Sequence, residues 1–294
     1  MTKQRRHIPD HDPMPSHDPV PTRDATPSHD ATSEPGETHR FSVTRMRGFA
    51  ERAAADLAAT YTTAMCVLGD RLGLFAELAR GGPATSGELA DRAGVAERYA
   101  REWLRALACA GYLDYDEPSE RYILPPEHAP VLAQEAGPYF LGAEYHQLQG
   151  LLGIFDPLLA AFRDGGGVDA SAYHPSFWDG LDRSSAIYCE NVLLKQWIPA
   201  VPEVRAALER GIAVADVGCG RGRALLTLAD AFPLSRFTGY DAFAPNVAAA
   251  TESAQARGLG ERVRFVVADG SQPFNAQHEL LLTVNVVHDA ADPP

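Results

Sequence analysis

The sequence predicts an α/β protein, in which a mostly α-helical N-terminal module with a winged helix-turn-helix precedes a parallel β-sheet of four strands. Two observations predict this class. In the C-terminal part, short apolar segments alternate with helical segments, which favours a parallel sheet. Before them, two short helical segments joined by a glycine turn are followed by a hairpin pattern, and such a unit is a winged helix-turn-helix.

The first 40 residues are rich in Pro, His, Asp, Ser and Thr and have almost no large apolar side chains. Such a segment cannot bury enough apolar surface to offset its ordering entropy, so we expect residues 1–40 to be a disordered tail. Its histidines are irregularly spaced, which favours a solvated tail over a metal site. Three regions should follow: a helical and winged-helix domain over 41–135, a helical linker and substrate-pocket region over 136–210, and a ligand-binding sheet domain over 211–294.

Composition and charge limit the function classes. The formal net charge of −13 at pH 7 argues against wholesale binding to nucleic acid, whose phosphates need a basic surface. No run of about 18 apolar residues and no signal peptide is present, so a membrane span is not predicted. The four cysteines are too far apart for a metal or redox motif and suit a reducing cytoplasm. Cys66 and Cys109 lie in apolar helical contexts and should be buried.

A long helix is predicted over residues 45–69, where large apolar side chains recur at helical intervals, and a second helix over 71–79. Ser86 is expected to cap a short third helix over 87–93, and Gly94 should end it.

The second helix of the winged unit is predicted over residues 96–110, and a hairpin of 111–115 and 121–124 should follow it. The side chains that this helix should turn towards the core are Tyr99, Trp103, Leu104 and Leu107.

Two roles compete for the winged unit, namely DNA recognition and dimerisation. Arg98, Arg101 and Arg105 on its second helix would face DNA, but two glutamates of the same helix could pair with them. The hairpin carries acids where phosphate contact would need bases: Asp114, Asp116, Glu117 and Glu120. The helix over 45–69 has more apolar residues than one face needs. We therefore expect a homodimer formed through this unit, without nucleic acid.

The region over residues 128–200 contains further helices, a glycine-rich break at 165–167 and an unusual set of polar and aromatic side chains. Some of these must belong to the core, but as a group they are the best source of a substrate pocket: Tyr139, Tyr145, His146, Tyr173, His174, Phe177, Trp178, Tyr188 and Trp197.

The most informative segment is Ala213–Gly222, a short apolar strand that ends in a turn with glycines at 218, 220 and 222. A helix should follow at Ala224–Ala231. A glycine turn between strand and helix lets backbone approach a ligand closely, and the helix N-terminus favours a polar or anionic group there. The spacing differs from the dinucleotide fingerprint, whose third glycine would fall at Arg223. Asp216 lies inside the strand.

Three more strands are predicted, over residues 236–241, 263–268 and 280–287. Ligands bind outside the carboxyl ends of strands in open parallel sheets, and an acid roughly 20 residues beyond the glycine turn can accept ribose hydroxyls. Asp241 fits that role. The other polar residues at or after these strand ends are Asp269, Gly270, Asn285, His288 and Asp289.

The glycine motif with Asp216 resembles motif I of class I S-adenosylmethionine-dependent methyltransferases. Together with the winged unit, the glycine break and the runs at 232–241 and 287–289, the chain resembles bacterial methyltransferases with an N-terminal winged-helix domain, as many small-molecule O-methyltransferases have. The resemblance covers roughly residues 45–294. It implies a Rossmann-like sheet of seven strands in the order 3-2-1-4-5-7-6. Because four are predicted here, we expect the chain to be truncated at its C-terminus relative to that family.

The resemblance implies S-adenosylmethionine as cofactor and methyl transfer to a small-molecule acceptor. It places the cofactor on the following residues: Asp216, Gly218, Gly220, Gly222, Asp241, Asp269, Gly270 and Asn285. Asp241 would hold the ribose hydroxyls, and Asp269 would lie near the adenine amine. His288 is the candidate catalytic base, since an ordinary histidine pKa near 6.5 suits proton removal at neutral pH. A histidine held by Asp289, or catalysis by positioning alone, are the alternatives.

Two other functions remain open from the sequence. One is a ligand-sensing, winged-helix DNA-binding regulator, and the other is an inactive, truncated methyltransferase remnant. The methyl acceptor, and transfer to oxygen, nitrogen or carbon, are not decided by the sequence.

Overall fold

The computed structural model describes residues 41–269 and 276–287. The chain divides into two compact units, of which one ends at Arg52 and the other begins at Ala53. All the described candidate site residues belong to the second unit. The tail over residues 1–40, Gly270 and His288 lie outside the described residues.

The N-terminal module is mostly helical. Its secondary structure consists of α1 (Val43–Arg71), α2 (Leu74–Gly81), α3 (Ser86–Ala93), α4 (Glu97–Cys109), the antiparallel hairpin of β1 (Asp114–Asp116) and β2 (Arg121–Ile123), and α5 (Ala129–Leu132). Phe75 packs edge-on against Trp103 at 5.0 Å between ring centroids. These two rings belong to the buried core that α2, α3 and α4 share.

Three sequence expectations for this module are wrong in detail. Thr85, and not Ser86, caps α3, because the Thr85 hydroxyl accepts the Glu88 amide at 3.3 Å while the Glu88 carboxylate accepts the Thr85 amide at 2.9 Å. Tyr99 is 76 % exposed, since the buried stripe of α4 starts one residue later at Ala100. Cys109 is exposed because it lies beyond the end of that stripe, whereas Cys66 is buried as expected.

A helical region connects the module to the sheet. It comprises α6 (Gly142–Leu152), α7 (Phe155–Asp164), α8 (Pro175–Tyr188), a π-helical segment (Cys189–Trp197), α9 (Ile198–Ala200) and α10 (Pro202–Arg210). Helices α6 and α8 pack closely through glycines, since a Cβ on Gly180 would lie 2.7 Å from the backbone nitrogen of Gln147. This packing fixes α8, which later forms one wall of the candidate site.

The sheet has four parallel strands: β3 (Ala213–Val217), β4 (Arg236–Asp241), β5 (Val263–Val267) and β6 (Leu280–Leu282). Their order is β5-β4-β3-β6, which is the order 3-2-1-4 expected for the first four strands of the class I methyltransferase sheet. Helix α11 (Arg223–Ala231) follows β3, and α12 (Ala244–Ala256) follows β4. The predicted α/β fold class is confirmed.

The fourth strand is shorter than predicted. Only Leu280–Leu282 pair with β3, and the chain then leaves the ladder, with Asn285 at φ +57°. The residue next to it, Val286, comes so near to the glycine turn that a Cβ on Gly218 would lie 2.2 Å from its Cγ2 atom. The segment over 283–287, through Val286, therefore covers the turn instead of extending the sheet.

Candidate functional site

The site is built around the turn between β3 and α11. The amides of Gly218 and Cys219 both donate to the carbonyl oxygen of Tyr240, at 2.8 and 3.0 Å, which fastens the turn to β4. The three glycines of the turn have φ values of +72°, +54° and +79°, in the left-handed region that glycine adopts without strain. The spacing of the three glycines thus follows from the positive φ values of the turn, which glycine adopts more easily than other residues.

The three glycines of the turn differ in how closely other residues pack against them. A Cβ on Gly218 would meet Val286, and one on Gly222 would lie 2.3 Å from the ring of Phe265. A Cβ on Gly220 would meet nothing within 4 Å. Gly218 and Gly222 are therefore needed for packing, whereas Gly220 leaves open space on the surface of the turn.

Asp241 holds the turn from the end of the neighbouring strand. Its Oδ2 atom accepts the Gly220 amide at 2.8 Å, and its Oδ1 atom accepts the Phe243 amide at 2.9 Å. Each carboxylate oxygen has acceptor capacity left, because an ionised carboxylate offers about four lone-pair positions. The Asp241 side chain can therefore bind a ligand hydroxyl while it supports the turn.

Asp216 is the unusual residue of the site. It is only 2 % exposed, and its Oδ1 atom has no hydrogen-bond partner among the described residues. Burial, and secondarily the negative charge of Asp241, raise the pKa of Asp216 to about 7. A buried carboxylate oxygen without a partner is costly in a folded protein, and such groups concentrate at functional sites.

A cleft brings together five of the predicted residues, namely Asp216, Gly218, Gly220, Asp241 and Asn285. Gly222 supports the turn through its contact with Phe265. Asp269 is exposed after β5 and is not among the described residues that line the cleft. Gly270 and His288 cannot be placed, as they lie outside the described residues.

Helix α8 supplies a second wall, whose ion pairs with the glycine turn the sequence did not reveal. Arg221 pairs with Asp179 at 2.6 Å, and the Nε atom of Arg223 donates to Asp182 at 3.1 Å. The two arginines flank Gly222, and the two aspartates are one helical turn apart. The sequence feature that could have indicated these pairs is two acids spaced i, i+3 on one helix together with two arginines spaced two apart near the turn. A separation of about 40 residues hides such a match in a single sequence.

The same helix contributes aromatic surface. Trp178 stacks on Phe243 with ring centroids 4.7 Å apart, and it meets Phe177 edge-on at 5.1 Å. Trp178 and Tyr188 line the cleft, and the indole nitrogen of Trp178 has no hydrogen-bond partner within the described part of the chain. Of the predicted pocket aromatics, these two are the ones that the cleft uses. Tyr145, by contrast, packs against the core of the N-terminal module.

Among residues 41–269 and 276–287, no cluster of His, Cys, Asp or Glu could hold a metal ion. None of the helices in these ranges is long and apolar enough to cross a membrane.

The family comparisons agree with this arrangement. Residues 60–134 match the Rv2258c-like winged HTH domain, and residues 214–293 match the methyltransferase domain family. The chain therefore carries a winged helix-turn-helix domain followed by a methyltransferase domain. The second match includes most of β3, the glycine turn and the ends of β4 and β6, so the sheet side of the cleft belongs to this methyltransferase domain, whereas the α8 wall precedes the matched residues. Curated proteins gave no significant sequence match.

Several solved structures share the fold of the chain. The mitomycin 7-O-methyltransferase MmcR is 22 % identical, with a TM-score of 0.59, over 84 % of this chain and 74 % of that chain. PigF, solved with SAH, is 21 % identical, with a TM-score of 0.58, over 81 % and 72 %. The O-methyltransferase NcsB1 from neocarzinostatin biosynthesis is 26 % identical, with a TM-score of 0.54, over 81 % and 73 %. NcsB1 was solved with S-adenosylmethionine and 2-hydroxy-5-methyl naphthoic acid.

Proposed function

We propose that this chain is an S-adenosylmethionine-dependent enzyme that methylates a hydroxyl group of a small-molecule acceptor. The observation that carries the proposal is the buried carboxylate of Asp216 beside the glycine turn of a methyltransferase domain, whose Oδ1 atom has no hydrogen-bond partner among the described residues. A ligand with a cationic group would satisfy it.

The charge of the cleft suits this cofactor. S-adenosylmethionine has a sulfonium, an ammonium and one carboxylate, so its net charge is positive. The cleft is lined by Asp182, Asp216 and Asp241 against two arginines, and one more acid, Asp179, holds Arg221 from behind. The excess of acidic groups favours a cationic ligand. Asp241, with its spare lone pairs, would accept the ribose hydroxyls.

The wall formed by α8 is the proposed acceptor side. It presents Trp178, Leu181 and Tyr188 together with Ser184 and Ser185. The hydroxyls of these two serines donate to the Glu144 carboxylate and to the Leu181 carbonyl. Such a mixture of aromatic surface and a few polar groups is usual for small-molecule pockets. The names of MmcR and NcsB1 support a hydroxyl as the methylated group.

When bound, the cofactor supplies an electrophilic methyl group. The new bond joins this methyl to the acceptor oxygen, the sulfur–methyl bond breaks, and the hydroxyl proton leaves to a base or to water. The α8 wall and the glycine turn would hold the two reactants in line and exclude water, which contributes through proximity. His288 remains our proposed base, with catalysis by positioning as the alternative.

The winged-helix domain is proposed to join two copies of the chain and not to bind nucleic acid. Arg98 pairs with Glu102 at 3.3 Å, and Arg101 with Glu97 at 3.8 Å, so two of the three arginines of α4 are paired with acids of the same helix. On α1, Leu57, Tyr61 and Leu68 are exposed. An apolar stripe of this kind is typical of an interface. The four free cysteines are consistent with a proposed cytoplasmic location.

The proposal is tested by incubating the full chain with S-adenosylmethionine that carries a deuterated methyl group and with matched aromatic acceptors bearing a hydroxyl, an amine or a thiol. We expect mass spectrometry to find the label on the hydroxyl compounds and not with the Asp216→Asn variant. A label on the amine compounds instead would contradict the choice of oxygen.

A further inference from the structure

A charged cluster attaches α8 to the N-terminal module, apart from the ion pairs of α8 with the glycine turn. Arg183 on α8 donates two hydrogen bonds to Asp70, at 2.7 and 2.9 Å, and two to Glu135, at 3.0 and 2.6 Å. A fifth goes to Nδ1 of His146 at 3.1 Å. A guanidinium has five N–H donors, so Arg183 uses all of them. These four residues form the Arg183 cluster, in which the Asp70 side chain, at the end of α1, is only 8 % exposed.

Close packing confines the Arg183 cluster. A Cβ on Gly142, the first residue of α6, would lie 2.5 Å from Oδ1 of Asp70. The Phe140 ring lies against the guanidinium, with 5.4 Å between the ring centroid and Cζ of Arg183. Loss of Arg183 would remove the main partner of the largely buried Asp70 carboxylate, and a buried charge left without compensation is strongly destabilising. The cluster therefore fixes the position of α8 relative to the end of α1 and the start of α6.

The residue after Glu135 makes a second attachment. The Ala136 carbonyl accepts Nδ2 of Asn191 at 2.8 Å, and the same Nδ2 donates to the Ile187 carbonyl at 3.0 Å. Asn191 belongs to the π-helical segment that follows α8, a rare geometry that is frequent at functional sites. Ala136 has a φ of +56°, and such strain in a residue with a side chain persists only where the surrounding contacts impose it. Glu135 and Ala136 therefore hold the chain on both sides of the junction between α8 and the π-helical segment.

The junction held in this way is part of the cleft. Tyr188 and Cys189, on either side of the junction, line the cleft, as do the two serines that follow Arg183. We propose that Arg183 and Asn191 are positioning residues, which hold this side of the cleft in place for the acceptor through contacts separate from those of the glycine turn. The inference rests on the proposed function, since it takes the α8 wall as the acceptor side.

Two cysteines of the cleft allow a direct test. Cys189 lies on the α8 side and Cys219 in the glycine turn, and they are 5 % and 8 % exposed. The full chain is alkylated with iodoacetamide, and peptide mass spectrometry measures the rate at each cysteine. We expect Arg183→Gln and Asn191→Ala to raise the rate at Cys189 at least tenfold and to leave the rate at Cys219 within twofold of wild type, because local opening exposes only the segment that has lost its contacts. Arg183→Lys, which keeps the positive charge, should show a smaller increase.

A surface ion pair provides the matched control. Arg205→Gln breaks the pair between Arg205 and Glu209 of α10, whose side chains are 56 % and 54 % exposed, and it should leave both rates unchanged. An equal increase at Cys189 and Cys219 in Arg183→Gln would indicate a general loss of stability and would overturn the inference. An unchanged rate at Cys189 would overturn it as well.

Kinetics separate positioning of the acceptor from a general structural role. The acceptor used is 2-hydroxy-5-methyl naphthoic acid, with which NcsB1 was solved. We expect Asn191→Ala to raise the KM for this compound at least fivefold and to leave the KM for S-adenosylmethionine within twofold of wild type, whereas an equal rise in both would contradict the inference. If the wild-type chain does not methylate this compound, the two cysteine rates decide the inference by themselves. A wild-type chain that binds no S-adenosylmethionine would refute the proposed function, and the cysteine rates would still show whether Arg183 and Asn191 hold α8.

Discussion

The amide of Gly220 donates to Oδ2 of Asp241 at 2.8 Å, which joins the open position of the glycine turn to the end of the neighbouring strand. The two residues are 21 positions apart in the sequence. Through this bond one carboxylate both shapes the turn and faces the cleft that the turn lines. The turn and the proposed ribose site are therefore one structural unit, and a change in Asp241 should affect both.

Asp241→Ala should weaken S-adenosylmethionine binding at least tenfold. It removes the proposed acceptor of the ribose hydroxyls and leaves the Gly220 amide without its partner, and hydrogen bonds to charged groups are worth about 1.5–3 kcal/mol. Calorimetry measures the loss, and Asp241→Asn, which keeps one acceptor oxygen, should lose less. Unchanged affinity in both variants would remove Asp241 from the site.

The three glycines should respond differently to alanine. Gly218→Ala and Gly222→Ala combine positive φ with contacts at 2.2 and 2.3 Å, so each should lower the free energy of unfolding by roughly 2 kcal/mol or more. The added methyl group of Gly220→Ala would contact nothing within 4 Å, so we expect only the backbone strain to lower the free energy of unfolding, by about 1 kcal/mol.

Gly220→Ala should nevertheless impair ligand binding, because its methyl group would enter the space on the surface of the turn. Chemical denaturation and calorimetry separate the two effects. Equal stability losses at all three positions would contradict the packing described for Val286 and Phe265.

Cofactor binding should depend on pH through Asp216. Its pKa is raised to about 7 in the folded chain, so the carboxyl is largely protonated below that pH, and an ammonium group needs the ionised form. The dissociation constant should rise as the pH falls from 8 to 6, and binding at pH 6.5 should release a proton that calorimetry in buffers of different ionisation enthalpy detects. Asp216→Asn should abolish the proton release.

The same raised pKa has a consequence for stability without ligand. Because the charged form of Asp216 is disfavoured in the folded state, its contribution to the free energy of unfolding should decline as the pH rises from about 4 through 7. Asp216→Asn should therefore flatten the pH profile of stability over that range. A profile identical to that of the wild type would mean that the pKa of Asp216 is not raised in the folded state.

Dimerisation through α1 is tested by substituting residues of its exposed apolar stripe. Leu57 and Tyr61 are one turn apart on the helix, and Tyr61 is 66 % exposed. We expect light scattering to find a dimer for the wild type and a monomer for the Leu57→Glu, Tyr61→Glu double variant. Ala59→Glu, on the opposite side of α1, is the control and should remain dimeric. A monomeric wild-type protein would refute the proposed interface.

The sequence predicted the sheet well where local chemistry decides the structure. The strand, the glycine turn and the helix at residues 213–231 follow one another within a few positions, so the local sequence pattern is sufficient to predict them. The predicted end of the fourth strand was wrong because three valines among residues 284–287 continue the apolar pattern of the strand. Only the tertiary contact of Val286 with Gly218 shows that this segment covers the turn.

The sequence predicted the sheet side of the candidate site and two aromatic residues of α8, but it missed the aspartates of α8 that pair with the turn. Asp216 and Asp241 lie at or near strand ends and Gly220 lies in the turn after β3, and these positions follow from the fold. Asp179 and Asp182 gain their role only when α8 packs across the turn, which depends on close contacts such as those of Gly180 and Gly150 with neighbouring helices. Such packing is not encoded in any local spacing.

The central claim is that the cleft around Asp216 and the glycine turn binds S-adenosylmethionine. The most direct measurement is a calorimetric titration of S-adenosylmethionine into the 294-residue chain, with the Asp216→Asn variant in parallel. The structure predicts one saturable site with a dissociation constant below about 1 mM, the range usual for enzyme ligands, and binding at least tenfold weaker in the variant. No saturable binding by the wild type, or equal affinity of the two proteins, would contradict the account.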